Sequence, residues 1–251
     1  MKGFVARFLL TLIAATVALV AMVGIEIVLA LKREYLATEP ALEIGGTFGS
    51  ASDPPLTFAV LGDSTAAGVG VSRAEHAYAT LLAERLAAEG RHVRLLAFGI
   101  SGARIGDVLR EQVPEAIEAE PDLVFVGISA NDVTHFTSLD DVRADSSDMV
   151  ERLRTTGATV VVAGAPDMRA AAWHEPLRSL AGWRGRSVAA AVEEGARAAG
   201  ATTVPLAERT GPFFARDPEE AYGGDDFHPS AGGYRAWADS IYPELEKALA
   251  R

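Results

Sequence analysis

The chain reads as an α/β protein whose parallel sheet is buried on both faces, carried behind one long apolar helix. Three observations predict this. From Leu56 onward, short apolar runs alternate with helical patterns. Runs such as Leu123-Val124-Phe125-Val126 and Val160-Val161-Val162 are continuously apolar, as strands are when helices cover both sides of a parallel sheet. The first 33 residues hold an apolar stretch long enough to span a bilayer, which takes about 20 residues.

The N-terminal stretch runs over 8–31, follows Lys2 and Arg7, contains Glu26 near its end and is closed by Lys32 and Arg33. A cleavable signal has a shorter apolar region of roughly 7 to 15 residues and a small-residue cleavage site, neither of which stands out here. Residues 1–33 are therefore expected to be an uncleaved anchor, with secretion after cleavage as the alternative. Glu34, Glu39 and Glu43 follow the distal basic pair, whereas no acid lies on the N-terminal side. The expected orientation has the N-terminus inside and the domain outside the cytoplasmic membrane.

Residues 34–55, with Gly45-Gly46 and Pro54-Pro55 and little periodicity, read as a linker. The domain is expected over 56–251. Its strands are predicted at 57–61, 92–97, 122–128, 158–164 and 201–205, and its helices near 75–89, 104–117, 139–155, 183–199 and 230–249. Tyr78, Leu82 and Leu86 recur at helical spacing, and Gly90 follows as a C-terminal cap.

Composition narrows the function. With 34 acidic and 23 basic residues the net charge is −11, which argues against a nucleic-acid partner, because affinity for phosphate backbones comes from Lys and Arg. The chain has no cysteine, so disulfides and thiolate metal sites are excluded.

Four places lie just beyond a predicted strand or in the last long loop, where open α/β sheets bind ligands. Ser64 follows Phe58-Ala59-Val60-Leu61 in the turn Gly62-Asp63-Ser64-Thr65. Gly102 stands in Ile100-Ser101-Gly102-Ala103, and Asn131 in Ser129-Ala130-Asn131-Asp132. Asp225 and His228 stand in Gly223-Gly224-Asp225-Asp226-Phe227-His228-Pro229. A serine hydroxyl is a weak nucleophile until a base takes its proton, and that base needs a carboxylate to hold its tautomer. Ser64, His228 and Asp225 supply those groups. The backbone N–H groups of Ser64 and Gly102, with the side-chain amide of Asn131, supply donors for the oxyanion of an attacked carbonyl. Taken singly, these are ordinary turn and cap residues. Their conjunction in this order carries the reading.

In these blocks the chain resembles the SGNH hydrolases, also called GDSL-type esterases and lipases. Gly62-Asp63-Ser64, Ser101-Gly102, Asn131-Asp132 and Asp225-x-x-His228-Pro229 stand in that family's order, within residues 56 to 249. The resemblance implies a flavodoxin-like three-layer α/β/α domain, hydrolysis of carboxylic esters through an acyl-enzyme on Ser64, and no metal or organic cofactor. Two positions depart from the family pattern. Ser129 takes the place of a glycine before Asn131, and Ala97-Phe98 replace an asparagine that often precedes the second block.

The expected function is a membrane-anchored serine esterase, and the alternative is a non-catalytic module that binds envelope lipid or glycan on the same fold. The sequence does not choose among lipid ester, lysophospholipid, O-acetyl carbohydrate and thioester substrates. Asp63 reads as a turn carboxylate, and the three-residue spacing to His228 favours Asp225 over Asp226 as the orienting acid.

Overall fold

The computed structural model describes residues 2–250. Helix α1 (Lys2–Lys32) contains a 29-residue stretch, Phe4–Lys32, that is long and apolar enough to cross a membrane, with a mean hydropathy of 2.6. Its last turn is seated on the domain, where Ala30 packs against the core.

Six strands form one sheet: β1 (Gly45–Phe48), β2 (Pro55–Gly62), β3 (His92–Ala97), β4 (Leu123–Gly127), β5 (Thr159–Ala163) and β6 (Thr202–Val204). Their order is β1-β3-β2-β4-β5-β6, and β1 alone runs antiparallel to its neighbour. The five parallel strands thus follow the flavodoxin-like winding, in which the order reverses between the first and third, here β2 and β4. Gly62 and Gly127 pair at the carboxyl ends of those two strands, so the loops that follow them flank the switch point.

Alternation along each strand divides the core in two. Ala59, Leu61, Val124 and Val126 face one helical layer, while Phe58, Val60, Leu123 and Phe125 face the other. The second layer contains α2 (Tyr78–Ala88), with Tyr78, Leu82 and Leu86 buried one turn apart. The first layer contains α3 (Val113–Glu118), α4 (Leu139–Leu153) and α5 (Leu177–Ala198). A single π-helical turn, Val108–Gln112, leads directly into α3. Helices α6 (Leu206–Arg216) and α7 (Ala231–Leu249) complete the second layer through Phe214, Tyr234, Trp237 and Ile241.

Several elements differ from the sequence expectation, among them the helix expected near 104–117, which is interrupted by the π-helical turn ahead of α3. The stretch read as a linker over 34–55 contains β1, paired in register from Gly45 with Leu96 to Phe48 with Val93. Two glycines and no apolar alternation hide it, because a short edge strand is made by its partner rather than by its own propensity. Helix α6 was not expected because Gly211 and Pro212 lie within it. Helix α5 begins at Leu177, ahead of the expected 183.

Candidate active site

Ser64 is presented by a turn built on glycine. Gly62 has φ +153°, and a Cβ there would lie 2.2 Å from the Gly127 carbonyl oxygen, so only glycine lets β2 close on β4 at this point. The chain then folds back on itself, with Ala67 N–H donating to the Asp63 carbonyl at 3.0 Å and Val69 N–H to the Ser64 carbonyl at 2.9 Å. Asp63 is buried, and its Oδ1 accepts from the Thr65 N–H at 3.0 Å and the Thr65 hydroxyl at 2.9 Å. Burial pushes its carboxyl up from the ordinary range, against those two bonds. It is a turn carboxylate, as its position suggests.

The loop carrying His228 is held against this turn. A Cβ on Gly70, at φ +112°, would lie 2.1 Å from the Pro229 carbonyl oxygen. On the far side, Ser230 caps α7, its hydroxyl accepting from the Gly232 N–H at 3.0 Å and the Gly233 N–H at 3.2 Å. His228 therefore sits two residues ahead of a fixed helix start.

These loops bring three of the expected residues into a hydrogen-bonded line. His228 Nε2 lies 3.1 Å from Ser64 Oγ, and His228 Nδ1 lies 2.7 Å from Asp225 Oδ2. Asp225 and His228 are buried, while Ser64 is partly open. Burial by itself would raise the Asp225 carboxyl. The imidazole and the backbone N–H groups of Leu36, His228 and Phe227 overcome this and hold it well below the usual carboxylate range. Asp226 points elsewhere, pairing with Arg33 at 2.7 Å.

Asn131 lines the same pocket as Ser64 and His228, together with Met168, Tyr222 and Phe227. One of its Nδ2 hydrogens is engaged by the Ala103 carbonyl at 3.0 Å, which ties the loop after β4 to the turn that contains Gly102. Gly102 is not among the residues that line the pocket and has φ +83°. Among the described residues, no hydrogen bond engages the N–H of Ser64 or of Gly102. Ser129 adopts φ +92°, a left-handed conformation that favours glycine, and its buried hydroxyl has no partner among the described residues.

Sequence reasoning missed Gln112, Arg33 and Leu36. Gln112 is a buried amide beside Val108 and Val113, bonded to the backbone of Gly62. A polar residue on an otherwise apolar helical face was the available signal. Arg33 and Leu36 reach the Asp225 loop from the stretch after α1 and carry no sequence signal.

A family model, the GDSL-like lipase/acylhydrolase family, matches residues 60–236. The chain belongs to that family. Within it, the chain is 37% identical over 193 residues to the GDSL-like esterase Rv1075c of Mycobacterium tuberculosis, a match covering 76% of this chain and 62% of that protein. Solved structures of similar fold include TesA, at a TM-score of 0.63 and 22% identity, covering 77% of this chain and 99% of that one. An acetyl xylan esterase from Geobacillus stearothermophilus, Axe2, follows at 0.60 and 20%, covering 79% and 96%. The family's fold is thus the one described above.

Proposed function

We propose that the protein is a serine esterase in which Ser64 forms an acyl-enzyme with the acyl group of a carboxylic ester. The single observation that carries this reading is the line Ser64 Oγ, His228, Asp225, at 3.1 Å and 2.7 Å. His228 Nε2 takes the Ser64 proton as Oγ attacks the carbonyl carbon, then gives it to the departing alkoxide. Asp225, kept ionised, holds Nδ1 protonated and leaves Nε2 as the acceptor. Water, activated by the same imidazole, then attacks the acyl-enzyme and releases the acid. The N–H groups of Ser64 and Gly102 and the Asn131 amide are the donors proposed for the oxyanion.

The same reading keeps α1 as a membrane anchor with the domain on its outer side. Outside α1, the large apolar side chains exposed among the described residues are Tyr35, Ile100, Phe136, Leu180 and Trp183, with Phe136 75% and Trp183 62% exposed. All five lie in segments that follow α1, β3 or β4 or in the first turns of α5, and we read them as an apolar rim at the carboxyl ends of the parallel strands. An apolar rim beside an apolar helix supports access by an ester held at a lipid surface. The non-catalytic alternative gives no reason for Ser64 and His228 to stand in hydrogen-bonding distance.

A panel of p-nitrophenyl esters from acetyl to palmitoyl tests the proposal. The full-length protein is expected to hydrolyse members of the panel, with Ser64→Ala at background. Equal rates for both proteins would refute it. The chain-length optimum separates lipid esters from O-acetyl substrates.

A further inference from the structure

Resting on the serine esterase reading, we infer that Leu36 and Arg33, in the stretch joining α1 to the sheet, are positioning residues for the Asp225–His228 pair. Asp225 Oδ1 accepts from the Phe227 N–H at 3.0 Å and the His228 N–H at 2.9 Å. Its Oδ2 accepts from His228 Nδ1 at 2.7 Å and from the Leu36 N–H at 3.1 Å. Three of these donors belong to the loop that carries Asp225 itself. Leu36 is the donor from outside, 189 positions away, and it bonds the same oxygen that faces the imidazole.

Arg33 secures the loop from the same side. Its Nε donates to the Asp225 carbonyl at 3.2 Å and its Nη2 to Asp226 Oδ2 at 2.7 Å. Between them, Tyr35 meets Phe227 edge-on at 5.2 Å, and its hydroxyl accepts from Trp173 Nε1 at 3.2 Å. Phe227 in turn stands edge-on to the His228 ring at 5.1 Å.

The physical need is specific. The loop over 223–229 is closed by the Tyr222–Pro229 bridge and by the Gly223 N–H on the His228 carbonyl at 2.7 Å, and it passes through Asp226 at φ +56°; these backbone bonds do not reach the Asp225 carboxylate and leave its rotation to other donors. Donors on its own backbone hold Oδ1. A donor from another segment is what holds Oδ2 on the line to Nδ1, and through it the direction in which Nε2 faces Ser64. Exposed ion pairs such as Arg33–Asp226 add little to stability, so the expected effect lies in geometry rather than in folding.

The test uses the full-length chain and a water-soluble short-chain ester. Leu36→Pro removes the N–H, and Arg33→Gln removes the charge and the fork. Thr38→Pro is the control, placing the same ring two residues on, where among the described residues the N–H makes no hydrogen bond. Loss of a hydrogen bond to a charged group predicts a kcat about tenfold lower for Leu36→Pro, with KM within about twofold. Arg33→Gln is expected to fall in the same direction, and Thr38→Pro to stay near wild type. Wild-type kcat in Leu36→Pro, or an equal loss in Thr38→Pro, overturns the inference. If Leu36→Pro does not fold, wild-type kcat in Arg33→Gln overturns it. A wild-type protein with no hydrolytic activity at all would instead strike down the esterase reading beneath it.

Discussion

The Gln112 carboxamide brackets the backbone of Gly62, its Oε1 accepting from the Gly62 N–H at 2.9 Å and its Nε2 donating to the Gly62 carbonyl at 2.8 Å. Gly62 is the last residue of β2, and two positions later comes Ser64. The amide therefore satisfies the strand end at the point where the sheet stops pairing and the turn begins. Gln112 reaches Gly62 from a π-helical turn, a distortion often found at functional sites.

Gln112→Leu keeps the volume roughly but leaves the Gly62 N–H buried without its partner. The expected cost is about 2 kcal/mol, or a thermal midpoint lower by about 4–8 °C, and it is measured by thermal unfolding. The turn behind Ser64 should loosen with it, lowering kcat on a soluble ester. An unchanged midpoint would contradict the role given to this amide.

Ser129→Gly should act in the opposite direction. The residue stands at φ +92° with a buried, unpartnered hydroxyl, and glycine removes both penalties. A gain of about 1 kcal/mol is expected, raising the midpoint by about 2–4 °C. A lower midpoint would show that the left-handed position costs nothing here.

The pH dependence follows from Asp225. Its carboxyl is held below the usual range and stays ionised through the working range. Asp225 should therefore contribute no ionisation of its own to the loss of activity on the acid side. The acid limb of log kcat/KM should have unit slope, and a slope of two would contradict this. A carboxylate whose folded value is depressed also stabilises the fold above its unfolded value, near 3.9, and that contribution is lost as pH falls through the folded value. Asp225→Asn should accordingly flatten the loss of stability below about pH 4 and, by favouring the wrong imidazole tautomer, lower kcat by about 10³- to 10⁴-fold.

The apolar rim makes a prediction about the membrane. Trp173 and Trp237 are buried, so Trp183 is the tryptophan open to a lipid surface. Brominated lipids in vesicles carrying the full-length protein should quench its emission, and Trp183→Phe should remove most of that quenching. Equal quenching in the two proteins would place the rim away from the bilayer.

The parallel strands were legible because each is an apolar run bounded by turn residues, as at Leu123-Val124-Phe125-Val126. β1 and α6 were not, since one depends on its partner for its shape and the other carries Gly211 and Pro212 inside it. Ser64, Asp225 and His228 were legible as residue types in turns beyond strands, and the fold brings them within hydrogen-bonding distance. Gln112 and Leu36 were not, because their contribution lies in tertiary pairing. Gln112 bonds a backbone 50 positions away, and Leu36 acts through its own N–H, which no side-chain pattern reports.

Ser64 as the nucleophile is tested most directly by labelling the full-length protein with a fluorophosphonate, which traps a serine activated by its base. Covalent modification of the wild type on Ser64 is expected, with none in Ser64→Ala and little in His228→Ala. An unlabelled wild type, or labelling that survives Ser64→Ala unchanged, would contradict it.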